Sequence, residues 1–327
     1  LKCGIYTSIN KSTHIAYKEL YSMRILVLGA GGIGGYFGGR LAESGQNVTF
    51  LVRPKRKSFL ERNGLAIHSE QGDYHFNPQL ITKDDRVAPF DVILLSSKSY
   101  HLEQAMTDLK PFVDGHTAII PLLNGVAHIP QLQSIFGKDK VMGGYCVIET
   151  TLDSMGEIIQ TSPFDKLFFG ELDGSKSERA QKIAQAFSET KAEFKLSTSI
   201  EQGMWHKYLM ITVLSSITTL MHAPIGPIRD SDGGINFVRS LYNEVASIMR
   251  AHRAPLADDI VSQYMTSFNQ LSYHFKTSMQ RDMEKGLNIE TGHLQGYLLN
   301  LADTYQIDAP LLKCVYQNHK VYKEMLK

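Results

Sequence analysis

The chain has few of the residues that build cross-linked, membrane-spanning or nucleic-acid-binding proteins. Its 327 residues include three cysteines, Cys3, Cys146 and Cys314, and a single tryptophan. Cysteines so few and so widely spaced argue against a disulfide framework or a zinc site, and they favour a reducing, cytoplasmic location. A formal net charge of +1 gives no reason to expect a nucleic-acid or anionic-membrane partner. No apolar run reaches the roughly 18 residues that cross a bilayer, because Thr and Ser interrupt the longest candidate, near 208–221.

Length and composition predict a globular protein of two domains. With 43% hydrophobic residues, the chain can bury a large core. Residues 1–22 contain lysines, serines and threonines but no continuous apolar stretch of the kind found in a signal peptide. We interpret them as an extension ahead of the fold, poorly ordered or not native. We expect a cofactor-binding domain over 23–196 and a helical substrate and dimerisation domain over 197–327.

The order of strand and helix patterns predicts an α/β fold followed by an all-helical domain. From Arg24 to about Gly170 strands alternate with helices, which indicates a Rossmann-like, doubly wound parallel sheet. After about Ser199 only helical periodicity remains. A cleft between two such halves is a usual place for a substrate. The main expected strands are 48–52, 91–96, 117–123, 141–150 and 157–160, with an edge strand at 167–170; the expected helices are 177–188, 200–221, 237–252, 257–284 with breaks, 290–305 and 310 to the end.

The most informative motif is a glycine-rich turn that directly follows an apolar strand. Leu26-Val27-Leu28 leads into Gly29-x-Gly31-x-x-Gly34 and then into a segment with an apolar helical face. In a dinucleotide-binding turn the first glycine permits the sharp turn, the second lets the backbone approach the pyrophosphate, and the third packs helix on strand. The alternative is a tight turn without a ligand. We predict a cofactor-binding loop made of Gly29, Ala30, Gly31, Gly32, Ile33 and Gly34.

The residues after the second expected strand indicate which dinucleotide binds. An NAD-binding unit usually has an acidic residue about 20 positions after the glycines, where its carboxylate holds the ribose 2′-hydroxyl. Here Arg53 is followed by Lys55, Arg56 and Lys57, and the first acid is Glu61. We therefore predict NADP(H) as the cofactor, with Arg53 binding the 2′-phosphate. The alternative is a solvated basic loop.

Two polar residues follow later strands of the expected sheet. Lys98 comes just after the strand at 91–96, and Asn124-Gly125 follows the strand at 117–123. Ligands of open α/β sheets bind beyond the carboxyl ends of the strands, so we expect both side chains at the ligand site. The alternatives are a solvated lysine and an ordinary Asn-Gly turn.

The helical half offers a lysine on an otherwise mostly apolar face. Lys207, Ile211 and Ser215 follow one another at i, i+4 spacing and share one face of the helix expected over 200–221. The lysine either extends its charge to solvent as a structural cation or points into the cleft and supplies a proton.

A second pair of polar residues lies later in the helical half. Ser278 and Glu290 flank an expected helix end, because Gly286 suits the position after a helix and Asn288 suits the cap of the next one. Glu290 would then lie in the first turn of that next helix. Its alternative role is to stabilise the helix dipole.

Together these residues resemble the ketopantoate reductase (2-dehydropantoate 2-reductase) family, which reduces an α-keto acid with NADPH. The resemblance runs from Met23 to the C-terminus. It implies that Lys207 is the proton donor and contacts substrate, that Asn124 contacts substrate and cofactor, that Ser278 binds substrate, and that Glu290 contacts the cofactor ribose. It also implies reduction of 2-dehydropantoate to pantoate in pantothenate biosynthesis. The motifs that carry it are the Gly29-Ala-Gly-Gly-Ile-Gly34 loop, Arg53, Lys98, Leu122-Leu-Asn-Gly125, Trp205-x-Lys207, and Ser278 twelve residues before Glu290.

The chain departs from the family pattern at three substrate positions. Members typically have asparagines four and eight residues after the lysine and another before a later glycine; here those places hold Ile211, Ser215 and Ile225. A site that hydrogen-bonds a substrate hydroxyl discriminates strongly against analogues without it, so losing amides relaxes that discrimination. We assign Lys98 to the cofactor site and Ser215 to the substrate site, and we expect a more apolar 2-keto acid as an alternative to ketopantoate.

Two further alternatives belong to other functional classes. A 3-hydroxyacid or opine-type dehydrogenase also joins a Rossmann half to a helical half. A non-catalytic NADP(H)-binding sensor would explain the missing amides, although Lys207, Asn124 and Glu290 argue against it. The expected partners are a small 2-keto acid and a second copy of the chain, which would form a homodimer through the helical domain.

Overall fold

The computed structural model describes residues 23–327; residues 1–22, interpreted above as an extension, lie outside the described residues. The strands are β1 (Arg24–Leu28), β2 (Asn47–Leu51), β3 (Leu65–His68), β4 (Tyr74–Phe76), β5 (Gln79–Ile81), β6 (Val92–Leu95), β7 (Ala118–Pro121), β8 (Gly143–Leu152), β9 (Ile158–Gly170) and β10 (Glu193–Leu196). The helices are α1 (Gly32–Glu43), α2 (Pro54–Asn63), α3 (Leu102–Leu109), α4 (His128–Phe136), α5 (Glu178–Phe187), α6 (Ile200–Leu220), α7 (Ile225–Asp230), α8 (Gly234–Ala251), α9 (Ile260–Gln270), α10 (Ser278–Glu284), α11 (Tyr297–Tyr305) and α12 (Pro310–Met325).

A parallel sheet forms the centre of the first half, as the sequence predicts. Its strand order is β5-β2-β1-β6-β7, and every neighbouring pair is parallel. Strands β6 and β7 are buried throughout, because helices cover both faces of such a sheet. The order reverses direction between β1 and β6, which is the switch point where ligands of doubly wound sheets bind. The carboxyl ends of β1, β6 and β7 therefore share one edge of the sheet.

A second sheet takes up strands that the sequence pattern assigned to the first. Here β9 pairs with β10 and β3 in parallel and with β8 in antiparallel fashion. The single parallel sheet expected up to Gly170 was wrong beyond β7. The separate edge strand at 167–170 was also wrong, since these residues continue β9 and lie between β8 and β10. A register shift between Ile148 and Thr150 accommodates residues 161–164, whose Pro163 had masked the continuity of the strand.

The second half is built from helices around α6. This helix is buried on most of its surface, and α8, α10 and α12 pack against it. The chain's tryptophan, Trp205, lies on α6 with 5% of its surface exposed, and its ring is 5.9 Å from Tyr208 and 5.4 Å from His252. The long segment expected to be helical with breaks divides into α9 and α10. None of the helices in residues 23–327 combines the length and hydropathy needed to cross a membrane.

The expected helix start at Asn288 was wrong. Residues 287–290 are not helical, and the helical conformation resumes as a π-helical turn at Gly292–Gly296 that runs into α11. Gly286 does follow the end of α10, with φ of +65°. Glu290 therefore lies on a connecting segment and not in a first helical turn. Its side chain reaches the other half of the molecule.

Candidate active site

The glycine loop has the geometry of a phosphate-binding turn. Gly29 has φ of +96°, a conformation that other residues rarely adopt. A Cβ atom at Gly34 would overlap with the Ser96 hydroxyl and the Gly29 carbonyl oxygen, so this glycine allows α1 to pack on β6. A Cβ at Gly31 would meet nothing within 4 Å, which leaves open space beside the backbone. The N-terminus of α1 has no side-chain cap, so its first amide groups remain available as donors to an anion.

The other loop residues support this turn. Ala30 is buried, Ile33 packs against the core of the first half, and Gly32 lies beneath β8, where a Cβ would be 2.7 Å from Thr150 Oγ1. These contacts fix the loop between the two sheets. The loop residues therefore fit a dinucleotide pyrophosphate.

Two arginines near the loop play different structural roles. Arg53 is exposed at the start of α2. Burial and the charge of Arg53 both lower the pKa of His101, so Arg53 lies beside the segment that follows β6. Arg56, by contrast, is not part of a solvated basic loop, because it donates hydrogen bonds to the carbonyls of Ala30 (3.0 Å) and Gly156 (3.1 Å). Arg56 thus ties the glycine loop to the turn between β8 and β9.

Lys98 and Glu290 meet across the boundary between the two halves. Lys98 Nζ lies 2.7 Å from Asp282 Oδ2 and 3.6 Å from Glu290 Oε2. The backbone N–H of Ser99 donates to Glu290 Oε1 at 2.8 Å. Desolvation lowers the pKa of Lys98, but the carboxylates of Glu290 and Asp282 outweigh it and leave that pKa raised. The ammonium therefore stays charged.

Lys207 and Asn124 form the second contact between the halves. Lys207 Nζ donates to Asn124 Oδ1 at 3.0 Å. Desolvation lowers the pKa of Lys207, while Cys146 and Glu290 act in the opposite direction without reversing the shift. Burial raises the pKa of the Cys146 thiol to about 12, so this neighbour stays neutral. A lysine with a lowered pKa is a stronger acid than usual, and it stands at the carboxyl edge of the parallel sheet.

The other residues at expected substrate positions do not join the contacts of Lys98, Asn124, Lys207 and Glu290. Ser278 is exposed at the start of α10. Ser215 is 3% exposed; its hydroxyl donates to the Thr212 carbonyl at 3.2 Å and accepts from Gln295 Nε2 at 3.2 Å. Ile225 is fully buried in the helical core. The structure thus brings Lys98, Asn124, Lys207 and Glu290 to one boundary, and it places Ser215 within a buried polar network.

The sequence reasoning missed three residues at this boundary. His293 Nε2 contacts the Asn124 carbonyl oxygen at 2.8 Å. Asp282 pairs with Lys98, and Arg281 pairs with Glu149, which lies within β8 at the register shift. The two α10 residues follow Ser278 at i+3 and i+4, so the helix face of Ser278 was a signal that could have found them. His293 had no comparable signal.

Comparison with known proteins identifies both halves. A model of the ketopantoate reductase PanE/ApbA family matches residues 25–174, and the model of that family's C-terminal domain matches residues 199–323. The chain is 43% identical over 301 residues to "Uncharacterized oxidoreductase YkpB" of Bacillus subtilis, covering 92% of this chain and 99% of the relative. It is 24% identical to the 2-dehydropantoate 2-reductase of Lactococcus lactis, covering 93% and 99% of the two chains.

Solved structures share the fold over nearly the whole chain. The 2-dehydropantoate 2-reductase of Methylococcus capsulatus superposes with a TM-score of 0.82 at 26% identity, covering 93% of this chain and 98% of that one. A ternary structure of D-mandelate dehydrogenase with NADH and anilino(oxo)acetate has a TM-score of 0.84 at 18% identity, with 93% and 99% covered. The matching family models and the 43% identical relative show that the chain is an oxidoreductase of the ketopantoate reductase PanE/ApbA family.

Proposed function

We propose that the protein reduces a 2-keto acid to a 2-hydroxy acid with NADPH. The observation that carries this proposal is the contact between Lys207 Nζ and Asn124 Oδ1, at 3.0 Å, on the sheet edge that also carries the glycine loop. This contact supports the role of the Lys207 ammonium as a proton donor beside the place where the keto group of a substrate would bind. The named activity of the Lactococcus and Methylococcus relatives agrees with it.

The cofactor would be held by residues from both halves. The open space at Gly31 and the uncapped amides of α1 suit the pyrophosphate. Arg53 is exposed just after β2, and no acidic residue lies between it and Glu61, so this stretch offers cations and no carboxylate to a 2′-phosphate. Glu290 and Lys98 would meet the ribose and phosphate portions. NADPH, when bound, supplies the hydride.

Lys207 would supply the proton and stabilise developing charge. Reduction of a ketone builds negative charge on the carbonyl oxygen, and an ammonium group in a desolvated cleft stabilises that charge. Because its pKa is lowered, Lys207 releases its proton to the oxygen more readily than a solvated lysine would. Asn124 Oδ1 accepts from Nζ and so keeps the ammonium at the sheet edge.

The substrate we propose is a 2-keto acid more apolar than ketopantoate, with ketopantoate itself and a role in pantothenate biosynthesis as the family alternative. Ile225 is fully buried, and the Ser215 hydroxyl is already bonded to Gln295 and Thr212. Neither side chain offers an amide to a substrate hydroxyl. The loss of those amides favours substrates without one.

A panel of 2-keto acids, including ketopantoate and branched or aromatic analogues, tests the proposal with NADPH and NADH oxidation as the signal. We expect turnover with NADPH preferred, a preference that Arg53→Ala reduces and Lys55→Ala, on the same exposed stretch, leaves in place. Lys207→Ala should lower kcat/KM by about 100-fold or more with NADPH binding retained. Unchanged kcat/KM in Lys207→Ala would refute the proton-donor role.

The same panel separates the alternative functions. Activity on β-hydroxy acids, or on an amino acid plus a keto acid, with none on simple 2-keto acids, would favour a 3-hydroxyacid or opine-type dehydrogenase. Tight NADPH binding without turnover on any carbonyl compound would favour a sensor.

A further inference from the structure

The Asn124-Gly125 turn is held in place by the helical half. His293 Nε2 lies 2.8 Å from the Asn124 carbonyl oxygen. Gly125 has φ of +79°, and a Cβ there would lie 3.3 Å from Leu294 and 3.5 Å from Tyr208. Tyr208 donates in turn to the Leu294 carbonyl. The turn that presents Asn124 to Lys207 is therefore surrounded by residues of the second half.

A π-helical turn aims His293 at this target. The N–H of Gly296 donates to the Thr291 carbonyl at 2.8 Å, which is the i→i−5 bond of a π-helix. The N–H groups of His293 and Leu294 both donate to the Glu290 carbonyl at 3.0 Å. Such turns are rare and often occur at functional sites. Here the turn couples the backbone of Glu290 to the imidazole of His293.

A second histidine supports the first. His128 is fully buried on α4, its ring stacks on His293 with centroids 5.6 Å apart, and its Nδ1 lies 3.4 Å from His293 Nε2. Desolvation lowers the pKa of both rings, and of His128 strongly, so both are neutral. A carbonyl oxygen can only accept, which requires that Nε2 of His293 carry the hydrogen. The donor role of His293 follows from its partner.

We propose that His293 is a positioning residue for the reduction: its Nε2–H fixes the Asn124 backbone, and thereby keeps Asn124 Oδ1 within hydrogen-bond distance of Lys207 Nζ. The expected effect of His293 on kcat rests on the proposed function. The expected effect on the pKa of Lys207 does not, because the ammonium loses its acceptor whenever Asn124 moves. A hydrogen bond to the charged form raises a pKa, so losing it lowers the pKa of Lys207 further.

Two variants of His293 separate positioning from packing. His293→Leu fills the space of the ring with an apolar side chain and removes the donor, whereas His293→Gln offers an amide N–H near the position of Nε2. His75→Leu is the matched control, since His75 Nε2 also lies 2.9 Å from a backbone carbonyl, that of Asn63, on the exposed surface of the first half. Each variant is assayed for kcat, KM and NADPH affinity. The pKa of Lys207 is measured by NMR on lysine-labelled protein, with Lys207→Arg to assign the signal.

We expect His293→Leu to lower kcat about 10- to 100-fold, as misplacement of a reacting group does, with little change in NADPH affinity. The pKa of Lys207 should fall, although its neighbours Cys146 and Glu290 are unaltered. His293→Gln should restore most of both, and His75→Leu should change neither. A folded His293→Leu with an unchanged pKa of Lys207 would overturn the inference. If the wild type shows no turnover, the proposed function fails, but the NMR titration still tests whether His293 positions Asn124.

Discussion

At the scale of single residues, two glycines of the same loop separate folding from cofactor binding. Gly34 touches protein atoms on the side where a Cβ would project, whereas Gly31 faces open space. A methyl group at position 34 must displace Ser96 and backbone atoms. A methyl group at position 31 displaces nothing in the protein, and it would occupy only the volume that a bound pyrophosphate needs.

Gly31→Ala and Gly34→Ala should therefore behave differently. Overpacking in Gly34→Ala should cost about 1–3 kcal/mol of the free energy of unfolding, which a urea titration measures. Gly31→Ala should stay within about 0.5 kcal/mol of wild type. It should nevertheless bind NADPH at least about tenfold more weakly by fluorescence titration. Equal loss of stability in the two variants would contradict the assignment.

The sequence revealed the residues whose position depends on a local pattern. Lys98 and Asn124 follow strands, and the structure does bring them to one edge. The hydrogen bonds of Arg56 to the glycine loop were missed because its partners, Ala30 and Gly156, are 26 and 100 residues away. His293 was missed because its direction depends on a π-helical turn, which no residue spacing in the chain announces.

At the scale of elements, α12 is joined to α6 through one buried histidine. His319 is fully buried; its Nε2 lies 2.6 Å from Thr219 Oγ1, and its Nδ1 lies 2.8 Å from Thr291 Oγ1. The imidazole therefore links the last helix both to the central helix and to the segment that precedes the π-helical turn. Desolvation lowers its pKa from 6.5 to about 4.

This burial predicts a specific loss of stability in acid. Between pH 6.5 and about 4 the unfolded chain binds a proton at His319 that the folded protein excludes. The contribution of the neutral imidazole is fully present above pH 6.5 and is lost as the pH falls through this window, by up to about 3 kcal/mol. His319→Gln, which does not titrate, should show a shallower decline in the free energy of unfolding. Parallel curves for both proteins would rule this out.

Helices with a strong local pattern of apolar residues were predictable, and the arrangement of strands, which depends on long-range pairing, was not. The glycine-loop helix and α6 follow from local patterns, and the structure confirms them. The division into two sheets depends on which strands pair over long sequence distances, and β9 pairs with three different strands. The helix start at Asn288 failed for a related reason, since tertiary contacts of Glu290 replaced the expected capping.

At the scale of the whole molecule, charged side chains of α10 and Glu290 form ion pairs and a hydrogen bond across the boundary between the two halves. Lys98 is 42% exposed and Asp282 is 21% exposed, so their ion pair is accessible to salt. Arg281 and Glu149 form a second pair across the same boundary. Pairs of this kind contribute about 0–1 kcal/mol each, so salt should weaken these contacts without unfolding either half.

The backbone amide of Ser99 should report any weakening of these contacts. Raising the salt concentration from 0.1 to 1 M shortens the Debye length from about 10 to about 3 Å and weakens the exposed pairs. Hydrogen exchange at Ser99, which donates to Glu290, should then become severalfold faster. The amide of Leu122, which donates to Leu95 within the parallel sheet, should not change. Asp282→Asn should reproduce the effect at low salt. Equal acceleration at both amides would indicate general destabilisation instead.

The position of Trp205 gives this protein a built-in optical probe. It is the chain's one tryptophan, it is shielded from water, and it lies two residues before Lys207 on the same helix. Reduced nicotinamide absorbs light where tryptophan emits, so energy transfer from this indole to bound NADPH would quench its emission without any added label. Because the signal has a single source, a quenching titration would follow cofactor binding directly, and its time course would resolve arrival of the cofactor from turnover.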